Sequence, residues 1–103
     1  MNQKRVDLLR NYIKEDPAEP FNRYALALEL AHDEMDEAIS ILLELLKDTP
    51  SYIPTYYQAA SLLIEQNRIE EAKIVLERGV IICRQSNEHK TLRELKSLAE
   101  ELD

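Results

Sequence analysis

Two histidines and one cysteine are the side chains of this sequence best suited to bind a soft or borderline metal ion. They are His32, Cys83 and His89, and no two of them share a short motif spacing. Because a structural zinc site usually has four such ligands, we predict no metal site. Cys83 follows three aliphatic residues on a predicted helix, which favours a buried apolar role. We expect His89 in the first turn of the last helix, in solvent.

A short acidic run raises the question of calcium binding. It contains four carboxylates close together: Asp33, Glu34, Asp36 and Glu37. The run lacks the twelve-residue loop, with glycine at its bend, that an EF-hand requires. Carboxylates are also favoured at the positive end of a helix. The run therefore predicts the start of a helix, with Asp33 as an oxygen cap.

The residues that catalysis would need do not form a recognisable pattern. The chain has no G-x-S-x-G sequence, no glycine-rich phosphate loop and no histidine placed beside Cys83 in a known motif. Paired carboxylates occur, but 20 acidic residues produce such pairs by chance. We predict no catalytic residue, no cofactor and no enzymatic activity.

Composition narrows the class further. The 103 residues carry a net charge of −7, which disfavours nucleic acid and anionic membranes, because affinity for both comes from Lys and Arg. A single cysteine excludes an internal disulfide and fits a reducing compartment. No apolar run is long enough for a signal peptide or a membrane span, so we expect a cytoplasmic protein. One glycine and four prolines disfavour a turn-rich β-sandwich.

The apolar positions between the turn residues recur at helical spacing. Six helices are predicted, over residues 3–15, 20–31, 34–47, 53–65, 68–84 and 88–102. Pro20 and Pro54 fall at or near first turns, where a missing N–H costs nothing. Asn67, three residues before Glu70, is a predicted N-cap.

An internal repeat is the most informative feature of the chain. Asp-Glu-Ala-Ile around Ala38 recurs as Glu-Glu-Ala-Lys around Ala72, 34 residues later. Two registers of the first helices are possible. One register pairs Pro20 with Pro54, but it aligns Glu29 with Leu63, and a glutamate suits a core position less well. We prefer the register with a shorter turn in the first unit, which predicts six packing residues: Phe21, Ala25 and Leu28 in step with Tyr56, Ala60 and Leu63.

These features resemble the tetratricopeptide repeat family, in period, in the early aromatic, and in the alanine of each second helix. The segment PFNRYALALEL followed by DEAI is similar to short bacterial members. The chain departs from the family at its turns, where Asp33 and Asn67 replace glycine, and at Gly79, where alanine is usual. The resemblance implies an all-α fold, a short right-handed α-solenoid of helix-turn-helix repeats. The implied single domain, 1–103, comprises a half-repeat helix 3–15, repeats 18–50 and 51–86, and a capping helix 88–102.

The resemblance also implies a function, because the first helices of such repeats line a concave surface that engages an extended or helical peptide. The expected activity is therefore protein–protein interaction, as a scaffold or adaptor. Residues at i, i+4 and i+7 share a helix face. The resulting predicted partner-binding residues are Asn22, Leu26 and Glu29, then Tyr57, Ser61 and Ile64, with Arg93 and Ser97 from the last helix.

The chemistry of these predicted partner-binding residues limits the kind of partner. Family members that bind acidic C-terminal tails use Lys, Arg and Asn at such positions, whereas the residues here are largely apolar. A chain of net charge −7 also repels an acidic segment. We therefore expect a neutral, apolar or basic partner. The alternative is a homodimer with Leu26, Leu30 and Ile64 in its interface. Tyr57 is either a partly exposed binding anchor or a residue that covers the junction with the last helix.

Overall fold

A computed structural model describes all 103 residues and contains six α-helices and no strands. The predicted all-α fold class is confirmed, and every helix boundary lies within two residues of its predicted position. No helix is long and apolar enough to cross a membrane. The chain divides into two compact units, unit 1 at residues 1–49 and unit 2 at residues 50–103. The helices are α1 (Gln3–Glu15), α2 (Pro20–Leu30), α3 (Met35–Asp48), α4 (Pro54–Glu65), α5 (Ile69–Gln85) and α6 (His89–Glu100).

The prolines begin helices as predicted, because α2 starts at Pro20 and α4 at Pro54. Asn67, however, ends α4 and does not cap α5. Its φ is +58°, its N–H donates to the carbonyl of Ile64, and the next N–H, of Arg68, donates to Leu63. This is the left-handed helix ending that usually uses glycine, and asparagine tolerates it. Asn67 thus takes the role of the missing turn glycine, and the N-cap prediction was wrong.

The acidic run lies at the start of α3 as predicted, but it does not provide the predicted cap. Asp36 and Glu37 lie in the first turn of α3, where their charge suits the positive end of the helix. The helix starts one residue later than predicted, and no side chain caps it. Asp33 pairs instead with the amino group of Met1, 2.9 Å away, so the prediction of Asp33 as an oxygen cap was wrong.

The exposure of α2 contradicts the preferred register. Phe21 is 50% exposed and Leu28 is 39% exposed, although both were predicted to pack in the core. The first residues of the helices lie 34 apart, from Pro20 to Pro54 and from Met35 to Ile69. The buried residues of α2 and α4 correspond at a shift of 33, with Leu26, Ala27 and Leu30 in step with Ala59, Ala60 and Leu63, so neither register of the first helices describes the packing. The core of unit 1 is formed by Val6 and Leu9, Ala25, Leu26, Ala27 and Leu30, and Ala38, Ile39, Leu42 and Leu45.

Glu29 is half-buried on α2 and is held in an ion pair. Arg5 of α1 lies 3.0 Å from the Glu29 carboxylate, so this charge is neutralised between the two helices. Two further pairs join the helices of unit 1, Arg10 with Glu37 at 3.1 Å and Arg23 with Asp48 at 2.8 Å. Unit 1 therefore combines an aliphatic core with a rim of interhelical ion pairs.

Unit 2 depends on a close approach of three helices at Gly79. A Cβ atom at residue 79 would lie 2.7 Å from Leu95 Cδ1 and 3.0 Å from Tyr56 Cβ. Leu95 is fully buried. Tyr56 is also buried, and its hydroxyl donates a hydrogen bond of 2.6 Å to the carbonyl of Pro50. The absence of a side chain at residue 79 thus lets α4, α5 and α6 approach one another closely.

Gly79→Ala should destabilise the protein. The added methyl overpacks the contact, which typically costs about 1–3 kcal/mol, and the gain in helix propensity of about 1 kcal/mol offsets only part of this. The free energy of unfolding, measured with denaturant, should fall. The double variant Gly79→Ala/Leu95→Ala should lose less than the sum of the single variants, because the methyl then has space. Higher stability in Gly79→Ala alone would contradict the close contact.

Tyr56 makes stability depend on alkaline pH. Burial raises the pKa of the Tyr56 phenol above its ordinary value. Above about pH 10 the phenol ionises in the unfolded chain before it ionises in the folded protein, so rising pH favours unfolding. Below that pH the stabilisation is fully present. Tyr56→Phe should lose about 1 kcal/mol at neutral pH, with the hydrogen bond, and should decline less steeply above pH 10. Tyr12→Phe, at an exposed tyrosine, is the control and should follow the wild-type curve.

Candidate functional site

The structure brings three of the eight predicted binding residues together. Tyr57 of α4 and Arg93 and Ser97 of α6 line one cavity of about 300 Å³ in unit 2. They meet because α4 contacts α6 and because residues four apart on α6 share a face. We call this feature the Tyr57 cavity; its other lining residues are Lys90, Glu94, Leu98 and Glu101.

The Tyr57 cavity offers a half-buried aromatic ring surrounded by balanced charge. Tyr57 is partly exposed, as its position next to buried Tyr56 requires, since adjacent helical residues point about 100° apart. Two basic and two acidic side chains line the cavity, namely Lys90 and Arg93 with Glu94 and Glu101. The surface can therefore accept polar and aromatic contacts without selecting strongly for either sign of charge.

Leu26 and Leu30 are not available to a partner. Leu26 is 3% exposed and Leu30 is buried, so both belong to the core of unit 1. Leu26 lines a cavity of about 330 Å³ with Ile13 of α1 and Ile41 of α3, but it exposes almost none of its side chain there. The predictions that Leu26 offers an open groove surface and that Leu26 and Leu30 form a dimer interface were wrong, because α2 turns both leucines into the core.

The other predicted residues have different surroundings. Glu29 already accepts contacts from within unit 1, from Arg5 at 3.0 Å and from the backbone N–H of Asn2 at 3.4 Å. Asn22, Ser61 and Ile64 are half-buried. These three residues stay predicted binding residues, whereas the carboxylate of Glu29 is engaged in holding α1 against α2.

An exposed apolar surface on α2 was missed by the sequence reasoning. It consists of Phe21, Tyr24 and Leu28 on one face of the helix and of His32 in the turn that follows, and we call it the α2 face. These residues line a cavity of about 440 Å³ together with Met1, Asn2 and Arg5 at the start of the chain. Pairing Pro20 with Pro54 would not have revealed it, because Phe21 then corresponds to Thr55 and Leu28 to Leu62, which are both buried.

The charges around the α2 face are already paired. Arg5 bonds to Glu29, and the amino group of Met1 lies 2.9 Å from Asp33. Neutralised pairs leave no strong field to attract an ion. The chemistry that this surface offers to a ligand is therefore apolar and aromatic contact.

The soft ligands of the sequence lie apart from these surfaces or in solvent. Cys83 is buried in α5, and burial raises the pKa of its thiol, which disfavours the reactive thiolate. His89 is exposed at the first position of α6, as predicted. No group of three or more His, Cys, Asp and Glu side chains is arranged to hold a metal ion.

Comparisons with known proteins agree on one family. A family model described as tetratricopeptide repeat matches residues 29–95. The chain is similar to the solution NMR structure of a tetratricopeptide repeat domain protein from Salinibacter ruber, with 34% identity and a TM-score of 0.79, over 85% of this chain and 90% of that one. A crystal structure of a tetratricopeptide repeat domain protein from Salinibacter ruber shows 33% identity and a TM-score of 0.76, over 82% and 94%. No curated protein matched the sequence.

Proposed function

Because this chain belongs to the tetratricopeptide repeat family, we propose that it is a non-enzymatic module that binds a segment of another protein. The family fold supports protein–protein interaction in general. The chain has the all-α helix-turn-helix architecture of that family. The finer proposal concerns where the partner binds and what its chemistry is.

The α2 face carries the proposal. Phe21 and Leu28 expose large apolar side chains on either side of Tyr24 along α2, and His32 follows in the next turn of the chain. Contiguous exposed apolar surface is a common mark of an interaction site, since leaving it in water is unfavourable. A cavity of about 440 Å³ between this face and α1 gives room for an apolar side chain of the partner.

The charge of the chain supports the chemistry proposed for the partner. The local charges beside the α2 face are paired, while the whole chain carries −7. A segment with apolar anchors and neutral or basic flanks would gain apolar contact and favourable long-range attraction. An acidic segment would meet repulsion, partly screened by salt.

The Tyr57 cavity is proposed as a second contact. Tyrosine offers a large contact area and a hydroxyl while losing little conformational entropy on binding. Arg93 and Ser97 supply hydrogen-bond donors on the same cavity. Asn22, Ser61 and Ile64 complete the proposed binding residues on α2 and α4.

The α2 face can be tested with a peptide selected from a random library against the intact chain. Phe21→Ala/Leu28→Ala should weaken its binding by about 2 kcal/mol, or roughly thirtyfold, as expected for binding hot spots. Both side chains are exposed, so the melting temperature should change little. Fluorescence anisotropy of the labelled peptide measures the affinity. Ile74→Ala, at an exposed residue of α5, is the matched control and should bind as wild type does.

Two outcomes would contradict this proposal. Undiminished binding by Phe21→Ala/Leu28→Ala would remove the α2 face from the site. Selection of acidic C-terminal tails from the library would overturn the proposed partner chemistry.

Tyr57→Ala separates a binding anchor from a packing residue. If Tyr57 is an anchor, the melting temperature should stay nearly unchanged and binding of a peptide that contacts the cavity should weaken by about 2 kcal/mol. If Tyr57 packs against α6, stability should fall first, by about 3 kcal/mol. Thermal melting and anisotropy on the same variant distinguish the two roles. A destabilised variant that binds normally while folded would exclude Tyr57 from the site.

A further inference from the structure

α1 is built like the second helix of a repeat. It ends at Asp16 with φ −141° and ψ 76°, and α3 ends at Thr49 with φ −136° and ψ 70°. Each of these residues donates its N–H to the carbonyl four residues earlier, and a proline follows each one. Superposing the two endings relates α1 to α3 by a shift of 33 residues. In unit 1, α1 therefore has the ending of a second helix.

In unit 1, α3 lies along the groove between α1 and α2. Its Glu37 lies 3.1 Å from Arg10 of α1, and its Ile41 lines a cavity of about 330 Å³ together with Ile13 of α1 and Leu26 of α2. The contact combines one charge pair at the start of α3 with apolar side chains that face this cavity in the next turn. This arrangement is the reference for the corresponding place in unit 2.

The corresponding groove in unit 2 is open. α3 and α5 are related by a shift of 34 residues, and α1 and α3 by a shift of 33, so α1 and α5 are related by a shift of 67. Residues 10, 13 and 14 of α1 therefore correspond to Glu77, Val80 and Ile81 of α5. These three residues of α5 line a cavity of about 640 Å³ together with Lys96 and Ala99 of α6. We call it the α5–α6 groove. Within unit 2, no helix takes the place that α3 has on α1 and α2.

α1 exposes a face whose residues correspond to those with which α3 contacts its groove in unit 1. The residues with which α3 contacts its groove, Glu37 and Ile41, correspond to Lys4 and Leu8 of α1, and buried Leu45 corresponds to Tyr12. Leu8 is 47% exposed and Tyr12 is 43% exposed. These residues recur at i, i+4 and i+8 and share one face of α1. The core residues of α1, Val6 and Leu9, lie on a different face.

The charges match as well, with their signs exchanged. In unit 1 the basic Arg10 faces the acidic Glu37. At the corresponding positions, Glu77 on the α5–α6 groove is acidic and Lys4 on α1 is basic. α1 has four basic and two acidic residues, whereas the lining of the α5–α6 groove as a whole is balanced, with three basic and three acidic residues, so the match is local to Glu77. Opposite charges at equivalent positions favour α1 over a random helix as the occupant.

We propose that α1 of one copy docks into the α5–α6 groove of a second copy, in the position that α3 occupies in unit 1. Leu8 and Tyr12 then cover Val80 and Ile81, and Lys4 pairs with Glu77. The two contacting surfaces differ, so each association leaves one α1 face and one groove free at its ends. The interaction uses neither the α2 face nor the Tyr57 cavity and stands apart from the proposed function.

The oligomeric state of the untagged chain tests the proposal. Sedimentation equilibrium should show association that grows with concentration up to about 1 mM and weakens with added salt, as expected for a small interface with a charge pair. Leu8→Asp and Ile81→Asp each remove one of the two surfaces, and each should be monomeric. Both residues are exposed, and circular dichroism should show wild-type helicity. Ile74→Asp, also exposed on α5 but not on the groove lining, is the control and should associate as wild type does.

Mixing the two monomeric variants gives the decisive result. Leu8→Asp retains its groove and Ile81→Asp retains its α1 face, so an equimolar mixture should form a heterodimer and nothing larger. Lys4→Glu and Glu77→Lys should each weaken self-association by roughly tenfold, equivalent to about 1.4 kcal/mol, and the double variant should recover it.

Three results would overturn the proposal. A wild-type chain that stays monomeric at every concentration excludes it. Loss of association in Ile81→Asp but not in Leu8→Asp means that the groove takes something other than α1. Failure of the mixed variants to dimerise means that the two surfaces do not contact each other.

Discussion

The contact at Gly79 is the constraint on which unit 2 depends. Gly79 is the one glycine of the chain, and because it has no side chain, α4 and α6 both come close to the backbone of α5 at this residue. The close approach buries Leu95 and holds Tyr56 where its hydroxyl reaches Pro50. It therefore fixes α6 against α4, and the Tyr57 cavity exists because those two helices are held together.

Unit 1 solves the same packing problem with charge. Arg5, Arg10 and Arg23 each reach a carboxylate on a neighbouring helix, at the edge of an aliphatic core. Exposed ion pairs contribute little free energy, so the core leucines supply most of the stability. The pairs instead neutralise charges at the edges between the helices, and one of them holds Glu29 of α2 against α1.

The surfaces of the chain follow from this difference between the units. An apolar face stays open on α2, a mixed cavity lies between α4 and α6, and a groove lies between α5 and α6. Repeat proteins bury apolar faces by stacking neighbouring units. The groove on α5 and the exposed face of α1 are apolar surfaces that neither unit buries internally.

The sequence by itself determined the six helices, the 34-residue repeat and the family, because periodic apolar residues and turn residues act locally. Only the tertiary structure decided which face of α2 is buried, because that depends on the packing of α2 against α1 and α3, whose residues are distant from it in the sequence. The rotation of one helix then exchanged Leu26 for Phe21 and Leu28 at the surface, since neighbouring positions on a helix point in different directions.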